Sequence, residues 1–130
     1  MLHCQGCHRP DGSGVPGAVP DLRGSLARFL ELPRGRAFLV QVPGSASSRL
    51  SHAELAAVLN WMVVRFGPAA DARAAVPYTA EEVARLRAHP LVDVAGARRA
   101  LLARLGKTPE APVRPVRPAG SPEELTAHSN

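Results

Sequence analysis

Aromatic residues make up only 4% of this 130-residue chain: one Trp, one Tyr and three Phe. A ring-built interior is thereby excluded, and packing has to come from Leu, Val and Ala or from a large apolar group that is not protein. The chain is long enough for one small domain with a single core, which excludes a multi-domain enzyme. Long apolar runs are missing as well. The longest, Leu55 to Val64, is interrupted by Asn60 and falls far short of a bilayer span. The start lacks the basic, apolar and small-residue regions of a secretory signal, because chemistry begins two residues after Met1-Leu2. The expectation is either a mature or truncated product or a true start that lies upstream.

Lysine is nearly absent: fifteen of the sixteen basic residues are Arg, and the formal net charge is +5. No basic run exceeds Arg98-Arg99 and no aromatic residues alternate with the basic ones, so the sequence does not support nucleic-acid binding. A solvated, Arg-rich surface is the plainer expectation.

Residues 1–25 hold both cysteines, five of the eleven glycines and three prolines, a composition that makes loops. Helical spacing over residues 26–32 stops before Pro33, and residues 36–42 form a short apolar segment before a turn at Pro43-Gly44. Ser51 with Glu54 has capping-box spacing, and the stripe Leu55, Val58, Leu59, Met62, Phe66 predicts a helix that buries one face and ends at Gly67-Pro68. Thr79 with Glu82 repeats the pattern for a helix to about Ala88. Another helix spans roughly residues 92–105, before Gly106. Five prolines from Pro109 onward predict a disordered tail. The expected division is a domain over 1–67, a helical extension over 68–108 and a disordered Pro-rich tail over 109–130, all-α throughout.

Cys4-Gln5-Gly6-Cys7-His8 has the spacing of a c-type haem attachment site. Two thiols three positions apart on a tight turn can reach the two vinyl groups on one porphyrin edge as thioethers, while the adjacent imidazole swings under the ring to coordinate iron. A dithiol redox pair would open a helix after a strand, and no strand can precede Cys4. A zinc site needs a second pair of ligands, whereas His3, His52, His89 and His128 are scattered.

The motif continues into Gly12 to Gly24, read as G-S-G-V-P-G-A-V-P-D-L-R-G. Together the two stretches resemble the class I cytochromes c, over about residues 3–66. The resemblance implies a small all-α haem domain with covalent haem c bound through Cys4 and Cys7, and His8 as the proximal iron ligand. It implies that the Pro20 carbonyl accepts the hydrogen bond of the proximal imidazole, that Leu22 packs on the ring, and that Trp61 packs on an N-terminal helix. Two features depart from the family. The helix before C-x-x-C-H is almost entirely missing, and residues 36–50 contain neither Met nor His to serve as the distal ligand. Met62, on the apolar stripe, is the first choice for the sixth ligand, with His52 or an open iron as alternatives.

The expected function is one-electron transfer at a buried iron, with no substrate bond made or broken. The resemblance implies a periplasmic carrier that takes electrons from a dehydrogenase and passes them to another cytochrome or an oxidase. Arg85, Arg87, Arg98, Arg99 and Arg104 would offer an acidic redox partner a docking charge. The competing expectation is a five-coordinate haem protein that binds a small gas or acts on peroxide, although no distal acid–base group stands out. A haem-free interaction module built on residues 79–105 is the third.

Overall fold

The computed structural model describes residues 8–23, 25–67 and 69–106. Cys4, Cys7 and the tail over 109–130 lie outside the described residues. Among the described residues seven helices follow in order: α1 (Leu26–Phe29), α2 (Pro33–Gln41), α3 (Pro43–Ala46), α4 (His52–Phe66), α5 (Ala69–Ala74), α6 (Ala80–Arg87) and α7 (Val94–Arg104). The only β-type pairing among these residues is a single bridge between Val15 and Val19. The architecture is all-α, as the sequence implies.

Helix α4 forms where its cap predicts. The Ser51 hydroxyl accepts from the Glu54 N–H at 3.1 Å, and the Glu54 carboxylate accepts from the Ser51 N–H at 2.7 Å, so two orphan donors are satisfied reciprocally. Leu55, Leu59, Met62 and Phe66 are buried, while Val58 on the stripe's edge is half-buried. Two prolines act differently from the sequence expectation. Pro33 does not merely end a helix but opens α2 at its first turn, and Pro43 opens α3 in the same way. In a first turn the missing N–H costs nothing and the ring's fixed φ suits the helix. The short α5 has no signature in the sequence.

One core joins all parts. Phe29 of α1, Val40 of α2 and Leu55 and Leu59 of α4 belong to the same buried cluster as Tyr78, Val83 of α6, and Leu101 and Leu102 of α7. Val83 is 0% exposed, so the extension is packed against the rest of the chain.

A polar clamp fixes this packing. The Arg36 guanidinium donates from Nε and Nη2 to both carboxylate oxygens of Glu82, at 2.6 and 2.7 Å. It also donates to the carbonyls of Val76 and Pro77 and lies 4.1 Å over the Tyr78 ring. Tyr78 returns its hydroxyl to the Arg36 carbonyl at 2.8 Å, and burial pushes that phenol well above its ordinary pKa. Asn60 of α4 holds the Tyr78 backbone from both sides, accepting from its N–H at 2.7 Å and donating to its carbonyl at 3.1 Å. Because Glu82 faces Arg36, α6 keeps only half of the expected capping box, the Thr79 hydroxyl accepting from the Glu82 N–H.

Candidate haem site

The loop after His8 is folded by its own backbone. Turns bond Gly12 to Arg9 and Val15 to Val19, and the Leu22 N–H then reaches back to the Gly12 carbonyl at 2.9 Å. Asp11 closes the first turn by accepting from the Ser13 N–H at 3.0 Å and the Ser13 hydroxyl at 2.6 Å. Arg23 ties the two limbs together, bonding Asp21 at 2.6 Å and lying 3.9 Å from Asp11. The hydrogen bonds from Arg23 hold the exposed Asp21 carboxyl down at about 2.

Gly12 and Gly14 are demanded by close approach. A Cβ on Gly12 would sit 2.6 Å from the Phe66 ring, and one on Gly14 would sit 2.0 Å from the Val19 carbonyl oxygen. Both contacts draw the loop onto α4 and onto itself. The fold-back brings the Pro20 backbone to the half-buried His8 imidazole. Burial lowers the pKa of His8, and the Pro20 carbonyl opposes that shift by favouring the protonated ring. The Nδ1 atom of His8 is buried without a well-formed hydrogen bond.

The other expected residues fall as follows. Leu22 is half-buried and packs against the core cluster. Met62 is 8% exposed, one turn before the Phe66 whose ring covers Gly12. His52 is exposed in the first turn of α4. Trp61 is 42% exposed and meets Phe66 edge-on at 5.6 Å, and the N-terminal helix expected to pack on it lies outside the described residues.

Arg87 is the residue that the sequence concealed. Expected on a solvated face, it turns inward and donates to the carbonyls of Ala46, Ser48 and Leu50 at 3.2, 2.5 and 2.8 Å, with His52 Nδ1 at 3.4 Å. These carbonyls belong to the short connection between α3 and α4, which has no regular structure to satisfy them. Arg98 likewise lies over Phe29, its guanidinium carbon 5.8 Å from the ring centre. The basic face expected for a partner is therefore reduced to Arg85, Arg99 and Arg104. Only a signal of long range, such as pairwise covariation, could have located the partners of Arg36 and Arg87.

A half-buried imidazole close to the Pro20 backbone, directly after a C-x-x-C pair in the sequence, is the arrangement that a c-type haem protein requires. No family model matches the chain. It is 37% identical over 106 residues to a cytochrome c-552 of Thermus thermophilus, covering 68% of this chain and 81% of the relative. A second cytochrome c-552 of Thermus thermophilus is also 37% identical over 106 residues, with 68% of this chain and 72% of the relative covered. The chain belongs to the class I cytochromes c. It is an electron carrier and its cofactor is covalently attached haem c. The described residues fit that group: the buried Nδ1 of His8 lacks a well-formed hydrogen bond, and half-buried Leu22 on the same loop offers apolar surface. The 106-residue match takes in only 68% of a 130-residue chain, so the relative carries residues in the matched span that this chain lacks.

Proposed function

We propose that this cytochrome carries single electrons outside the cytoplasm, in the periplasm, from a dehydrogenase to a downstream cytochrome or oxidase. Cys4 and Cys7 hold the haem, His8 is the proximal ligand, Pro20 orients its ring and Leu22 packs on the porphyrin. The observation that carries this reading is the half-buried His8 imidazole beside the Pro20 carbonyl, on a loop whose backbone bonds leave it little freedom. Haem supplies the Fe(III)/Fe(II) couple. The chain's own contribution is to fix one axial ligand, to tune its basicity through Pro20, and to exclude water with apolar side chains, so that little reorganises on electron transfer. No helix of the described residues is long and apolar enough to cross a membrane.

Met62 is the proposed sixth ligand. Spectra of the exported holoprotein test it: low-spin bands with a weak far-red sulfur-to-iron band are expected, and Met62→Leu, which keeps the core filled, should abolish that band and lower the midpoint potential. A band that survives the substitution removes Met62 from the iron.

A second reading keeps the distal position open to a small gas. It is favoured by one observation: residues 36–50 supply neither Met nor His, in a chain shorter over the matched span than its relative. Carbon monoxide separates the two, since a Met-ligated iron resists it and an open one takes it at once.

A further inference from the structure

A cavity of about 630 Å³ opens between α2 and α7, its walls drawn from residues 34–41 and 91–104. It is separate from the loop that carries His8. The volume falls within the range of small-molecule sites. Its floor is apolar and rigidly backed. Phe38 stacks on Phe29 with ring centres 5.6 Å apart, Leu101 is 4% exposed, and the Leu91 N–H is bonded to the Gln41 carbonyl at 2.9 Å, which pins one end.

The rim is of opposite character. Arg34 and Arg104 both line the cavity, both are exposed, and neither has a hydrogen bond or ion pair among the described residues. Neighbouring arginines are engaged: Arg28 donates to the Leu105 carbonyl, Arg36 binds Glu82, and Arg87 binds three carbonyls. Two such guanidiniums above an apolar trough match a molecule with an anionic head and a hydrocarbon body. The planar guanidinium fork suits a carboxylate, and the trough removes the chain from water. A cation would be repelled at this rim, and a neutral hydrocarbon would gain nothing from it. The geometry points to the α2/α7 cavity as a binding site for an aliphatic monocarboxylate, held by Arg34 and Arg104 with its chain against Phe38 and Leu101. This assignment is independent of the identity of the sixth iron ligand.

The test uses the full-length holoprotein, titrated calorimetrically with dodecanoate below its micelle concentration. Dodecanol and acetate serve as probes carrying only one half of the ligand. Saturable binding of dodecanoate is expected, with acetate and dodecanol each weaker by about tenfold or more, because exposed charge contacts and chain burial contribute separately. The double variant R34Q/R104Q should weaken dodecanoate by about tenfold. Ala100→Trp, which fills the trough and leaves both guanidiniums, should abolish binding. Both variants change exposed positions, and an unaltered haem spectrum and helical dichroism show that folding is kept. No saturable binding, or equal binding by parent and both variants, overturns the assignment. Association with anionic phospholipid vesicles but not with monomeric dodecanoate overturns it too, and points to surface charge meeting a membrane.

Discussion

At the scale of single residues, Gly12 carries two constraints at once. Its φ of +82° lies in the left-handed region, and the space beside its Cα is taken by the Phe66 ring. Alanine there must both adopt a strained backbone and displace a core side chain, so Gly12→Ala is expected to destabilise the holoprotein by about 2 to 4 kcal/mol. Denaturant unfolding followed at the haem band measures it. A loss below about 0.5 kcal/mol, the range of an ordinary surface substitution, would show that the loop and α4 can separate freely. The carbonyl of Pro20 differs in kind. It is a backbone atom, so its effect on His8 depends on where the Val15–Val19 turn delivers the chain, and the loop's hydrogen bonds become part of that imidazole's electrostatic environment.

At the scale of elements, Arg36 and Glu82 join α2 to α6 through a bidentate pair whose side chains are 18% and 20% exposed. The Arg36 hydrogen bonds hold the Glu82 carboxyl below its ordinary 4.5. The unfolded chain therefore takes up the proton first as pH falls. The pair's stabilisation is full above pH 4.5 and fades as pH drops through the lower folded value. Glu82→Gln should cost about 2 kcal/mol at neutral pH and progressively less in acid, so that parent and variant converge. Parallel stability-against-pH curves for the two proteins would remove Glu82 from the acid response.

The same pair marks the limit of what the sequence discloses about elements. The caps Ser51–Glu54 and Thr79–Glu82 are local, three residues apart, so α4 and α6 are legible to within a residue or two. Pro33 and Pro43 are ambiguous locally, because proline both terminates and initiates helices, and only the packed chain decides which. The attachment motif and the Pro20 spacing are also local, and rest on the sequence alone. Arg87 and the Ala46–Leu50 carbonyls lie roughly forty positions apart, as do Arg36 and Glu82, and composition carries no trace of either contact.

At the scale of the whole molecule, Tyr78, Val83, Leu101 and Leu102 place residues of the expected extension in the same core that Leu22 of the loop after His8 packs against. Each such side chain contributes about 1.5 to 3 kcal/mol by leaving water, so the four together approach the entire net stability of a small domain. The buried cluster thus joins α1, α2 and α4 to α6 and α7. A chain ending at Gly67 would lose the Arg36–Glu82 clamp and leave Asn60 without its Tyr78 partner. It would also free the Ala46–Leu50 connection, which Arg87 now holds by three carbonyls next to the helix bearing Met62. Hydrogen exchange compares the two chains directly. In the shortened holoprotein, the amides of α2 and of the first turns of α4 should exchange at the rate set by local opening instead of global unfolding. Unchanged protection in both helices would establish residues 68–106 as a separable appendage. The expected acceleration would mean that the extension governs how rigidly α2, the 46–50 connection and the start of α4 are held, which truncation alone then loosens.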